Sequence, residues 1–133
     1  MNKNEVLCTY LQNLFTDYKV KAEYSTNSTD IKVITVQEQA GTKIVLFGEC
    51  DPIFNYYEVV IYGELISEQK AISTQIGNLI GKNETITIGN DIYQIMFMQM
   101  QNPQAIEYMD IRRVGYQTIL KTIISKIYEG GSF

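Results

Sequence analysis

The sequence predicts an α+β fold, with two helices packed on one mostly antiparallel β-sheet. Three observations lead there. Two segments carry apolar residues at helical spacing, several short runs are rich in β-branched residues, and Gly, Pro, Asn and Asp separate those runs. The elements follow in the order helix, strands, helix, hairpin and long strand, without the alternation of strand and helix that marks a parallel sheet. At 133 residues the chain reads as a single domain, 1–133. A domain of this size buries roughly two thirds of its unfolded surface and needs no metal or disulfide staple.

The first helix spans Asn4 to Tyr18. Val6, Leu7, Tyr10, Leu11, Leu14, Phe15 and Tyr18 make one apolar stripe, with Asn4 as N-cap and Glu5 at the positive helix end. Val20 to Tyr24 alternates like a strand, Ser25 to Asp30 reads as a polar turn, and Ile31 to Val36 is a β-branched strand. Gln37 to Lys43 is a loop leading into the apolar run Ile44 to Phe47, and Gly48 to Asn55 breaks order again around Asp51-Pro52. Tyr56 to Tyr62 is the clearest strand, apolar enough to lie at the sheet centre, and Gly63 ends it.

The second helix spans Ser67 to Ile80. Ser67 serves as N-cap, Ile72, Ile76, Leu79 and Ile80 as buried face, and Gly81 as stop, with Gly77 a weak point of about 1 kcal/mol inside it. Glu84 to Ile88, Gly89-Asn90 and Ile92 to Met98 form a hairpin, broken further on by Gln101-Asn102-Pro103-Gln104. From Arg113 to Tyr128 the apolar period fits a helix, but the density of Ile, Thr, Val and Tyr favours a long strand. Residues 129–133 read as a loose tail.

Composition excludes several kinds of chemistry. The chain has no histidine, so a Ser-His-Asp triad, a Cys-His dyad and a Cys2His2 zinc site cannot form within it. The net charge of -4 lacks the basic footprint of a protein that grips phosphate backbones or anionic membranes. Cys8 and Cys50 lie far apart and read as two reduced, structural thiols. No signal, transit or spanning segment is visible, and a cytoplasmic, reducing setting is expected.

The candidate reactive groups are few. Glu49 and Asp51 flank Cys50 and offer a carboxylate pair, but a solvated acidic turn explains them as well; no calcium-loop or phosphate-loop spacing is present. Arg112-Arg113 is a lone basic pair, suited to a turn or to a salt bridge between subunits. Tyr56 and Tyr57, the run Met96-Phe97-Met98 with Met100, and Tyr108 with Met109 stand at or beside loops. Such side chains fill cores, and they are also enriched at the centres of protein interfaces. No catalytic residue, metal site or cofactor site is expected.

From about Ile44 onward the pattern resembles a phage family, the minor capsid or tail-completion proteins of tail-terminator type. The loop Gly48-Glu49-Cys50-Asp51-Pro52 precedes the strand Tyr57 to Gly63, and a helix opens at Ser67-Glu68. Thr87-Ile88-Gly89-Asn90-Asp91-Ile92-Tyr93 is similar to the family's hairpin, Gln101 to Gln104 to its proline loop, and Val114-Gly115-Tyr116-Gln117 to its final strand. The helix from Glu5 to Tyr18 fits too.

The resemblance implies a structural role without an enzyme activity. Such proteins form a ring, usually of six subunits, on the head-proximal end of the tail tube. The ring stops tube polymerisation and joins the tail to head-completion or connector proteins, in the neck of a virion built in the host cytoplasm. DNA passes through its lumen without sequence-specific binding, and no membrane or cofactor is involved. Contacts are expected at two loop clusters, one of Asp51, Ile53, Phe54 and Tyr56, the other of Asn102, Pro103, Ile106 and Tyr108, with Arg112 and Arg113 bridging to a neighbour's carboxylates. Reversing both arginine charges should weaken ring formation; unchanged assembly would remove them from the interface.

A small acidic inhibitor or immunity-type protein, binding one basic partner as a monomer, suits the composition equally well.

Overall fold

The computed structural model describes residues 2–22, 32–38, 54–101, 103–108 and 113–128. Its elements are α1 (Lys3–Leu14), β1 (Lys19–Lys21), β2 (Val33–Glu38), β3 (Asn55–Gly63), α2 (Ile66–Gly77), β4 (Asn83–Ile88), β5 (Asp91–Met100), β6 (Gln104–Tyr108) and β7 (Arg113–Tyr128). The fold is α+β, with more strand than helix. One sheet runs in the order β1-β2-β3-β7-β5-β4, and β6 pairs with β7 beside it. The sheet is mixed, because β1 lies parallel to β2 while the other pairings are antiparallel.

The sequence predicts two helices packed on one mostly antiparallel sheet; the α+β class holds, but the sheet is mixed and curls into a half-barrel. Helix α1 touches β1 and β2 at one end of the strand order and β4 at the other. A single helix can reach both ends only if the sheet wraps around it. Strand alternation fixes which side faces inward. Ile34 and Val36, Tyr57, Val59 and Ile61, Leu120 and Ile124, and Ile95 and Phe97 form one buried core with Val6, Leu7 and Leu11 of α1 and Ile76 of α2. The alternate residues Val33, Val60 and Tyr62 form a second, smaller buried cluster on the convex side.

Helix α1 starts and ends earlier than its apolar stripe indicates. Its N-cap is Asn2, whose Oδ1 accepts from the Glu5 N–H at 2.8 Å. Asn4 instead donates to the Ala22 carbonyl at 3.2 Å, tying the helix to the end of β1. The helix stops at Leu14, because Gln12 holds the chain in a turn. Its Nε2 donates to the carbonyls of Phe15 (3.3 Å) and Tyr18 (2.7 Å), and its Oε1 accepts from the Val20 N–H (3.0 Å). Phe15 and Tyr18 therefore reach the core from a turn, while Leu14 stays 43% exposed. The strand expected over Val20 to Tyr24 is β1, at Lys19–Lys21 among the described residues.

Helix α2 begins after Leu65, which makes no side-chain cap, so Ser67 lies inside the first turn rather than capping it. It ends at Gly77, short of the expected Ile80. Leu79 and Ile80 bond to carbonyls only three residues back, and Gly81, at φ +87°, turns the chain into β4. A Cβ at Gly77 would stand 3.2 Å from the Met100 Cε, so glycine lets this helix end close against β5. Gly89, at φ +62°, makes the tight β4–β5 turn. The segment of ambiguous period is strand along its whole length, Arg113–Tyr128.

Candidate protein interface

Strand β7 organises the surface, because it reaches past every neighbour. On one edge it pairs with β3 from Val114 to Thr122. On the other it pairs with β6 from Arg113 to Gln117 and with β5 from Leu120 to Tyr128. Pro103 lies between β5 and β6, where no N–H is available for the ladder, so the second hairpin strand is interrupted as its sequence indicates. Beyond Thr122, no described strand pairs with β7 on the β3 side. The six residues Ile123 to Tyr128 thus overhang β3 and run on with β5 and β4 as a three-stranded tongue.

The two predicted loop clusters stand apart. Phe54 and Tyr56, both half-buried, lie at the start of β3, where Tyr56 pairs with Lys121 and the Lys121 Nζ sits 4.1 Å from the centre of the Phe54 ring. That cation–π contact gives Phe54 a partner within the chain. Ile106 and Tyr108 belong to β6, their backbones opposite Gly115 and Arg113. Tyr108 and Asn55 therefore pair with β7 positions nine residues apart, Arg113 and Thr122, about 30 Å along a strand. Asp51, Ile53, Asn102 and Arg112 lie outside the described residues, as do Glu49 and Cys50; Arg113 is described by its backbone alone, as the first residue of β7.

Sequence reasoning missed the tongue. Ile127 is 53% and Tyr128 44% exposed at its tip, beside a register shift between Ile92 and Tyr93. On its concave side an open depression of about 200 Å³ lies between α1 and β4, lined by Tyr10, Asn13, Leu14, Thr85 and Ile86. The Tyr10 phenol is pushed up in pKa by burial and then by the Glu84 carboxylate, which places an acidic group at this rim. The available signal was Thr85-Ile86-Thr87-Ile88, an alternating strand with no Lys or Pro to guard an edge.

Among the described residues no group of three or more Cys, Asp or Glu stands close enough to hold a metal ion. Burial and then Glu5 push the Cys8 thiol up to about 12, so it stays protonated and unreactive at neutral pH. The Glu58 carboxylate accepts from the Gln117 side chain across β3 and β7. No described helix is long and apolar enough to cross a membrane. No protein-family model matches the chain, and the comparison with curated proteins found no match.

Proposed function

We propose that the chain is a structural subunit of a phage or prophage tail terminator, a ring that caps the head-proximal end of the tail tube and presents a joining surface to the head-completion or connector proteins. In this reading two helices fill the concave side of a mostly antiparallel sheet, and the sheet's strands and edges supply the contacts. The sequence resemblance supports it. The end of β7 supports it on the structural side: among the described residues, Ile123 to Tyr128 run beyond the pairing with β3 and end in two exposed large apolar side chains. Adjacent exposed apolar side chains at a strand end suit contact with another protein. Closed rings follow when each subunit presents two different surfaces that fit each other head to tail. Capping needs no covalent step, because one face of the ring fits the tube end and the other fails to template a further layer.

The test uses tail tubes assembled from a phage tail-tube protein. Tubes mixed with the protein should stop elongating and show one decorated end by negative-stain electron microscopy. Tubes that elongate undecorated, with the chain instead binding a basic protein as a monomer, would favour the inhibitor reading.

A further inference from the structure

We infer that α2 is a movable element, which lifts off the sheet as a unit while α1 and the strands stay folded. The two helices are held in different ways. Helix α1 buries Val6, Leu7, Cys8 and Leu11, and the Asn2 side chain caps its start. Helix α2 buries Gln69, Ser73 and Ile76, so two of its three buried side chains are polar. Ile76 belongs to the core, and Ile72, partly buried, packs against it. Burying an apolar side chain stabilises a docked helix, whereas burying a polar one costs free energy unless it is hydrogen-bonded. The Ser73 Oγ is buried and has no hydrogen-bond partner among the described residues. Lifting α2 lets that hydroxyl bond to water.

The start of α2 is weakly fixed as well. Leu65 precedes it without a side-chain cap and is 57% exposed, and Ile66 is exposed beside it. The sheet, in turn, does not depend on this helix. Helix α2 packs on β3 and β7. Strand β3 is hydrogen-bonded to β2 and β7, one on each side, and β7 to β3 on one side and to β5 and β6 on the other. Thr118 and Thr122 lie on the concave face of β7, opposite Val59 and Asn55, and bond within the sheet. Thr118 donates to the Gln101 carbonyl at 2.6 Å and Thr122 to the Asn55 carbonyl at 3.2 Å. The ladders and these hydroxyls therefore keep their partners when α2 lifts, and α1 keeps its packing on β1, β2, β4 and β7. Such a sub-global opening gives the chain two arrangements, and a partner that prefers the lifted one shifts the balance by that preference.

The experiment is native-state amide hydrogen exchange on the full chain, in water and in low urea. The amides of Lys70 to Gly77 should be protected about a hundredfold or more less than those of Val59 to Ile61 in the middle of β3. Their exchange should also depend less steeply on urea, because less surface opens. Equal protection and equal urea dependence in α2 and β3 overturn the inference, because α2 then leaves only on global unfolding. Protection in α1 as low as in α2 overturns it too. Two variants test the same point from either side. Val6→Ala, in the buried face of α1, should lower protection in β3 about tenfold or more and leave that of α2 unchanged, since α1 stays docked when α2 lifts. A fall of the same size in both counts against the inference. Ser73→Ala should raise protection in α2 about fivefold or more beyond the same change at exposed Ser67. No gain from Ser73→Ala counts against it as well.

Discussion

The rings of Tyr10 on α1 and Phe97 on β5 meet with centroids 5.6 Å apart and planes tilted by 47°. That contact ties the helix to the inside of the curled sheet. Phe97 is essentially fully buried, so Phe97→Ala should lower stability by about 3–5 kcal/mol in urea unfolding. A double-mutant cycle with Tyr10→Ala should show about 0.5–1.5 kcal/mol of coupling beyond area burial. Zero coupling would mean that the two rings do not meet in solution.

Gln12 should behave as a structural residue despite its polar side chain. Its amide bonds two carbonyls and one N–H of the turn after α1. Gln12→Ala strands those groups and should lower stability by about 1–3 kcal/mol, with faster amide exchange at Val20. Substitution without effect would show that water replaces all three bonds.

Stability should fall at alkaline pH. Burial raises the pKa of Cys8 from about 9 to about 12, and it also raises those of Tyr57, Tyr10 and Tyr18. A group whose folded pKa lies above its unfolded one contributes fully below the unfolded value. That contribution is lost as pH rises toward the folded value. For Cys8 the window runs from about pH 9 to about 12. Unfolding midpoints followed from pH 7 to pH 11 should be flat at first and then drop, and Cys8→Ala should flatten the drop. A profile that Cys8→Ala leaves unchanged would remove Cys8 from the cause.

Tyr57→Phe gives the opposite sign from most core substitutions. The Tyr57 hydroxyl is buried and has no hydrogen-bond partner among the described residues. Removing an unsatisfied polar atom while keeping the ring should leave stability unchanged or raise it by about 1–2 kcal/mol. A loss of more than that range would show that the hydroxyl is satisfied in solution.

Legibility of the fold in the sequence followed the physics of each segment. The strand Tyr56 to Tyr62 was legible because buried, β-branched and aromatic residues run together, and the β4–β5 hairpin because Gly89-Asn90 marks its turn. The helix ends were not. Phe15 and Tyr18 continue the helical period of α1 although the chain has left the helix, because a Gln12-braced turn delivers them to the same core. The curl was hidden as well, since it depends on one helix reaching both β1 and β4. At the candidate interface, residue identity suggested Phe54 and Tyr56. The more exposed apolar pair, Ile127 and Tyr128, emerges only from the lengths of the paired strands.

The native mass in solution tests the account most directly. Light scattering across a wide concentration range, with and without magnesium, should show a closed oligomer of about six subunits, with rings in negative-stain images. A strict monomer at every concentration, which also fails to gather on tail tubes, would contradict it.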